Sequence, residues 1–227
     1  MAEGAQSHGL RERKKIRTRA TLIEAAAELC LKQGFDNTTV EQIAALADVS
    51  PRTFSRYFPN KESVVTAITD DLDGYIAEAL ERQPADITEY EALLGASLEV
   101  LRPRDGYETA GFRRMAMLIQ IINGSSSFKA SSLALRHDVT QGVTMRVMAR
   151  RMGVPVGDRA VHLVTDMWAI VHAYSFAGLG LPDKPPIDAD VICNRLCATF
   201  DSFRRTWSPF TSGESLDRQP PASAQIG

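Results

Sequence analysis

The chain has 227 residues, of which 44% are hydrophobic, 24% charged and 7% aromatic, a composition typical of a folded globular protein. Its apolar runs are far shorter than the roughly 20 residues that a membrane-spanning helix needs, and its first residues lack the apolar core of a secretory signal. Its three cysteines are too few, and odd in number, for a disulfide framework. The composition therefore argues against a membrane protein or a disulfide-stapled one and predicts a cytoplasmic protein.

The net charge of −2 is distributed unevenly along the chain. Residues 1–61 hold ten Lys and Arg against seven Asp and Glu, for a net charge of +3. Residues 62–227 hold sixteen against twenty-one, for a net charge of −5. A basic first module joined to an acidic body favours a protein whose N-terminal part faces an anion such as DNA.

The N-terminal region begins with a predicted tail and a predicted helix. Residues 1–9 are small and polar and predict a disordered tail. From Leu10, apolar residues recur every three or four positions, which predicts a helix with one apolar stripe. The stripe consists of Ile16, Ala20, Ile23, Ala27 and Cys30 or Leu31. Gly34 is typical of the residue that follows a helix end.

A second helix is predicted directly after this glycine. The segment from Thr38 to Glu41 matches a capping box, with Thr38 at the N-cap and Glu41 reaching back to it. The apolar face of the helix is formed by Val40, Ile43, Ala44 and Ala47.

Two further helix starts follow at short intervals. Ser50 and Pro51 are typical of the N-cap and the first position of a helix, and they predict a short third helix that ends near Tyr57. Asn60 is a predicted N-cap for a fourth helix over residues 61–82.

No stretch shows the alternating polarity and β-branched residues of a strand, so the predicted fold is all-α. Apolar spacing predicts further helices over 89–101, 109–122, 128–152, 158–179 and 188–207. The composition then shifts to Ser, Pro, Gly and Gln, which predicts a disordered tail over 208–227. We therefore expect a DNA-binding domain over residues 10–61 and a helical domain over residues 62–207.

The second and third helices have the arrangement that reading the major groove of DNA requires. The groove admits one helix, and the first residues of that helix meet the base edges. A tight turn holds the two helices at a fixed angle, and we expect Val49 to pack between them. The third helix is predicted to bury Phe54 and Phe58 and to expose Pro51, Arg52, Ser55 and Arg56.

The same segment resembles the signature of the TetR family of transcriptional regulators. Residues 39–50 are TVEQIAALADVS, followed by RTF at 52–54, RYF at 56–58 and NKE at 60–62. The resemblance covers roughly residues 14–66 and is specific because many positions agree at once. Asp48 stands where the family usually has Gly, and Asp tolerates the left-handed turn conformation better than most residues. Ser55 stands where a Tyr often contacts phosphate.

The resemblance implies DNA contacts at matching positions. Thr39, Tyr57 and Lys61 would hold phosphates. Arg52 and Thr53 would contact bases or adjacent phosphates, with Pro51 making apolar contact. The basic arm over residues 11–19 would follow the backbone or enter the minor groove. The complete predicted set is Arg17, Thr39, Ser50, Pro51, Arg52, Thr53, Ser55, Arg56, Tyr57 and Lys61.

The resemblance also implies that the remaining helices form a bundle that dimerises and encloses a small-molecule pocket. Apolar and aromatic residues on these helices are the candidate pocket walls, although core packing is the alternative for each of them. They are Phe112, Met115, Ile119, Phe128, Met145, Trp168, His172 and Phe176. Helices 158–179 and 188–207 would form the dimer, with small or apolar residues at helical spacing. These residues are Ala169, Ala173, Ala177, Ile192, Leu196, Phe200 and Phe203.

The sequence thus predicts a homodimeric repressor that leaves a palindromic operator when a small apolar ligand binds. We find no Gly-rich phosphate loop, no HExxH and no GxSxG motif, so we expect neither an enzyme nor a cofactor or metal site. Two alternatives remain open, an enzyme with its site in the helical bundle and an adaptor whose basic N-terminal part binds another protein. Cys193 and Cys197 share one helical face, where packing is favoured over redox or metal chemistry.

Overall fold

A computed structural model of the chain describes residues 3–125, 142–181 and 184–211. Within these ranges the chain forms helices and no strand, so the all-α prediction is confirmed. The helices are α1 (Glu3–Gln33), α2 (Val40–Leu46), α3 (Pro51–Tyr57), α4 (Lys61–Glu81), α5 (Glu89–Leu101), α6 (Ala110–Gly124), α7 (Val143–Met152), α8 (Arg159–Phe176) and α9 (Ala189–Thr211).

Helices α1 to α3 and the first half of α4 enclose an N-terminal hydrophobic cluster. Leu22 and Ile23 from α1, Ile43 from α2 and Phe54 from α3 are its largest fully buried members. Val64, Val65, Ala67 and Ile68 add the first turns of α4 to the same cluster. The helix-turn-helix unit therefore rests on α1 and α4, which fix its orientation.

A second hydrophobic cluster lies within the C-terminal bundle. It combines the second half of α4 with residues of α5, α6, α7, α8 and α9. Helix α4 therefore belongs to both clusters, and the expected domain boundary at residue 61 falls at the start of this shared helix.

Helix α6 is a second element that joins the two parts. Its Ile121 belongs to the N-terminal cluster, whereas Met115 and Ile119 belong to the C-terminal one. The guanidinium of Arg114 pairs with Glu24 of α1 at 2.6 Å and with Asp71 of α4 at 3.3 Å. These contacts connect the bundle to the helices that carry the helix-turn-helix unit.

The structure corrects the predicted start of α1. The helix begins at Glu3, so residues 3–9, which we expected to form a tail, continue it. Ile16, Ala20 and Leu31 are exposed, although they were predicted to belong to the buried stripe. Among residues 12–33, whose exposure is described, Leu22 is the first buried residue, and from there α1 packs into the N-terminal cluster.

The cap of α2 also differs from its prediction. Thr39, not Thr38, is the N-cap, and its partner in the capping box is Gln42 rather than Glu41. Thr38 is buried and its hydroxyl donates to the carbonyl of Gly34 at 2.9 Å, so it has no role in the cap.

At the other end of the chain, α9 continues to Thr211, four residues past the predicted end. The rest of the expected C-terminal tail, residues 212–227, lies outside the described residues, as do residues 128–141 of the helix predicted over 128–152.

Candidate DNA-binding interface

The turn between α2 and α3 is held by the backbone and by one left-handed residue. Asp48 adopts φ +53°, a conformation that Asp tolerates better than most side chains. The amide of Val49 donates to the carbonyl of Ala44 at 2.9 Å, and the Val49 side chain packs half-buried against the N-terminal cluster. The substitution of Asp for the usual Gly therefore preserves the turn.

Helix α3 is capped as its sequence predicts. The hydroxyl of Ser50 accepts from the amide of Thr53 at 3.1 Å, and Pro51 occupies the first turn. Phe54 and Phe58 are buried, with their ring centroids 5.9 Å apart, and anchor the inner side of the helix. The outer side exposes Pro51, Arg52, Ser55 and Arg56, which confirms the predicted orientation.

Several polar groups on this surface have internal partners. The hydroxyl of Ser55 donates to the carbonyl of Pro51 at 3.1 Å, and the hydroxyls of Ser50 and Thr53 lie 3.0 Å apart. Thr39 is exposed, and its hydroxyl accepts from the amide of Gln42 at 3.3 Å. Among the DNA contacts predicted on α3, Arg52 and Arg56 are therefore the charged side chains exposed to a DNA partner.

A groove of about 600 Å³ lies between α1 and α3. Helix α1 contributes Lys14, Lys15 and Thr18 to it, and the helix-turn-helix unit contributes Asp48, Val49, Thr53, Arg56 and Tyr57. The guanidinium of Arg56 lies 5.2 Å from the centroid of the Tyr57 ring, within the range of a cation–π contact. The structure thus places two lysines of the basic arm beside α3.

These lysines were not singled out from the sequence. The arm over residues 11–19 carries many basic residues, and only the position of α3 shows that Lys14 and Lys15 face the groove. Arg17 is exposed on α1 outside the residues that line the groove.

Lys61 has a structural role that the sequence did not reveal. Its ammonium donates to the carbonyls of Phe35 at 2.9 Å and Thr38 at 3.0 Å, and it lies 4.4 Å from the Phe35 ring centroid. These bonds hold the turn between α1 and α2. A phosphate contact from Lys61 remains a prediction, and it would compete with these carbonyls.

The predicted pocket residues converge within the C-terminal cluster. Phe112, Met115, Ile119, Met145, Trp168 and Phe176 are all buried there. His172 is half-buried, with its ring centroid 5.1 Å from that of Trp168 and 5.3 Å from that of Phe176. Phe128 lies outside the described residues. The indole Nε1 of Trp168 is buried and has no hydrogen-bond partner among the described residues. It is therefore a polar atom in largely apolar surroundings.

The residues proposed for the dimer interface differ in exposure. Ala173 and Ala177 are exposed, Ala169 is half-buried, and Phe203 is half-buried against the C-terminal cluster. Ile192, Leu196 and Phe200 of α9 are buried within their own chain, so their assignment to the interface was wrong. Their apolar spacing reflects packing on α5 and α8 instead. A different exposed stripe runs along α8, where Leu163, Ile170 and Tyr174 lie on one face, and Val191 of α9 is exposed as well.

The cysteines and acidic residues in the described part of the chain do not indicate a metal-binding or redox site. No group of three or more His, Cys, Asp or Glu side chains that would hold a metal ion occurs among these residues. Burial raises the pKa of the Cys193 thiol, which favours packing over reactivity. None of the described helices is both long and apolar enough to cross a bilayer.

A Ser-capped helix that projects arginines from a three-helix core, beside a groove lined with lysines, defines a helix-turn-helix DNA-binding protein. The profile of the family described as "Bacterial regulatory proteins, tetR family" matches residues 22–68. The HTH-type transcriptional regulator TcmR of Streptomyces glaucescens is 40% identical over 153 residues, which cover 66% of this chain and 67% of TcmR. The chain therefore belongs to the TetR family and is a transcriptional regulator.

Other relatives share this likeness over longer stretches. The HTH-type transcriptional repressor NicS of Pseudomonas putida is 28% identical over 220 residues, which cover 94% of this chain and 90% of NicS. The crystal structure of Thermus thermophilus FadR, a TetR-family transcriptional repressor in complex with lauroyl-CoA, aligns at 21% identity with a TM-score of 0.48. That alignment covers 90% of this chain and 98% of FadR.

Proposed function

We propose that the protein is a homodimeric repressor that binds a palindromic operator through α3 and leaves it when a small, largely apolar ligand binds. The observation that carries this proposal is the exposed face of α3 next to the lysine-lined groove. Base contacts from α3 give specificity, and phosphate contacts from α1 fix the register. Such a regulator acts in the cytoplasm, on the chromosome.

The exposed stripe on α8 supports the homodimer. Tyr174 is 74% exposed and Ile170 43%, although both are large apolar side chains at helical spacing. A two-fold axis beside α8 would bring two copies of the stripe together, and the same patch on both subunits would be self-complementary. Two copies of α3 would then meet the two half-sites of a palindrome.

Three aromatic side chains on one face of α8 support the proposal that a ligand binds within the bundle. Trp168, His172 and Phe176 are packed in sequence, and the Trp168 Nε1 donor has no partner among the described residues. Leaving a buried donor unpaired costs about 1–3 kcal/mol, which a ligand with an acceptor oxygen would recover. Aromatic molecules that carry a carbonyl or ether oxygen are therefore the first compounds to titrate against the protein–DNA complex.

Gel retardation of DNA from upstream of the protein's own gene tests the DNA-binding proposal. We expect Arg52→Ala to weaken binding by about 1–3 kcal/mol, because alanine cannot reach the base that the guanidinium reads. Tyr57→Phe, which removes only a hydroxyl at the groove, is expected to weaken it less. Arg104→Ala, in the turn between α5 and α6, is the matched control and should bind as the wild type does. Binding that is independent of salt would contradict phosphate contacts.

The lysines in the groove lead to a separate prediction about the salt dependence of DNA affinity. The variant with Lys14→Ala and Lys15→Ala should bind all DNA sequences more weakly while keeping the preference for the operator. The slope of log affinity against log salt should fall by about 0.9 for each phosphate that the protein no longer neutralises, or about 4 for a dimer. Lys32→Ala removes an exposed lysine at the other end of α1 and should leave the slope unchanged. An unchanged slope in the double variant would show that the groove does not face DNA.

A further inference from the structure

The C-terminal end of α6 lies where the two hydrophobic clusters meet. Ile119 belongs to the cluster of the bundle, whereas Ile121 belongs to the cluster beneath the helix-turn-helix unit. Shortly after Ile121, Asn123 bonds to the end of α8 and Ser125 bonds to the turn between α1 and α2. Each of them makes a hydrogen bond that spans a large distance in sequence.

Asn123 holds the end of α8. Its side-chain nitrogen donates to the carbonyl of Phe176 at 2.8 Å and to that of Leu179 at 2.9 Å. Phe176 is the last residue of α8, and Leu179 lies in the turn that follows, where its amide donates to the Phe176 carbonyl at 3.2 Å. The end of α8 is thereby tied to α6.

Ser125 holds the turn between α1 and α2. It is 1% exposed, and its hydroxyl donates to the Oδ1 atom of Asp36 at 3.0 Å. Asp36 lies in the turn that leads into the helix-turn-helix unit. Lys61 binds the carbonyls of Phe35 and Thr38 on either side of it, so the turn is held from α4 and from α6.

We infer that Asn123 and Ser125 are positioning residues for DNA binding. Together they form a hydrogen-bonded connection from the end of α8, through the end of α6, to the turn that carries α2 and α3. The connection fixes the orientation of the helix-turn-helix unit against the bundle. The expected effect of this connection on DNA affinity rests on the proposed function. Its expected effect on the stability of the turn does not.

Amide hydrogen exchange of the free protein tests the effect on the turn. Ser125→Ala should raise the exchange rate of residues 35–47 about fivefold, the change that follows from the loss of one net hydrogen bond. Asn123→Ala should raise exchange in the same residues, although it touches none of them. Ser202→Ala removes an exposed hydroxyl that bonds within α9 and should leave these residues unchanged. Unchanged exchange in Ser125→Ala would overturn the inference.

Two variants of equal charge test the consequence for DNA. Asp36→Asn and Asp36→Ala both remove the carboxylate, but only Asn keeps an acceptor for Ser125. Asp36→Asn should bind upstream DNA about fivefold more tightly than Asp36→Ala, and this difference should vanish in the Ser125→Ala background. Equal affinity of the two variants would overturn the role in DNA binding. If the wild type binds no DNA, the proposed function fails, and the exchange measurement alone decides whether the connection holds the turn.

Discussion

Ile170→Asp is expected to convert the proposed dimer into a monomer. Ile170 lies at the centre of the exposed stripe on α8, between Leu163 and Tyr174. A carboxylate there would face its own symmetry copy, so that two like charges would be desolvated together at the interface. Sedimentation or light scattering should report the 24.9 kDa mass of one chain instead of twice that mass.

Operator binding should fall when the dimer dissociates. Two linked half-sites bind about 10²- to 10⁴-fold more tightly than one, so the monomer should lose at least about a hundredfold in affinity. Ile170 is 43% exposed and belongs to neither hydrophobic cluster, so the variant should keep its helix content.

Val156→Asp is the matched control for this experiment. Val156 is 45% exposed and Ile170 43%, but Val156 lies in the loop between α7 and α8, outside the stripe. The control should remain a dimer with wild-type affinity. If both variants dimerise, the partner must bind another face of the bundle.

Local sequence signals were sufficient to place most helices. Ser50 and Asn60 were recognised as caps because a short polar side chain at a helix start accepts a hydrogen bond from the first turn. The turn conformation of Asp48 followed instead from the family resemblance, because Gly usually stands at this position and Asp tolerates a positive φ better than most residues. The caps depend on residues a few positions apart, which the sequence displays directly.

Contacts between distant residues could not be predicted in the same way. Lys61 looked like a free cation, but its partners lie in the turn before α2, more than twenty residues earlier. The bond between Ser125 and Asp36 joins residues 89 positions apart. A single sequence contains no signal for such a pair.

Apolar spacing also does not show whether an apolar helix face packs within the chain or against a second subunit. Ile192 and Leu196 pack within the chain, whereas Ile170 and Tyr174 remain exposed, although all four recur at helical intervals. Periodicity shows that a face is apolar, but the same pattern serves a core and a subunit interface. Only the tertiary arrangement separates the two roles.

Phe54→Ala should disrupt the helix-turn-helix unit more than any substitution on its DNA-facing side. Phe54 is 1% exposed and packs against Phe58 within the small N-terminal cluster. Truncation of a buried Phe to Ala costs about 3–5 kcal/mol, which is comparable to the whole stability of many domains. Denaturant unfolding followed by circular dichroism should show an earlier transition, and DNA binding should disappear with it.

Phe54→Leu separates the effect of packing from the effect of a DNA contact. It keeps most of the buried volume, so it should cost only about 1–2 kcal/mol and retain operator binding at low temperature. Arg52→Ala, by contrast, should lower affinity without moving the unfolding transition, because Arg52 is exposed. If Phe54→Ala unfolds at the wild-type denaturant concentration, Phe54 does not anchor α3, and the orientation of the DNA-facing residues must have another origin.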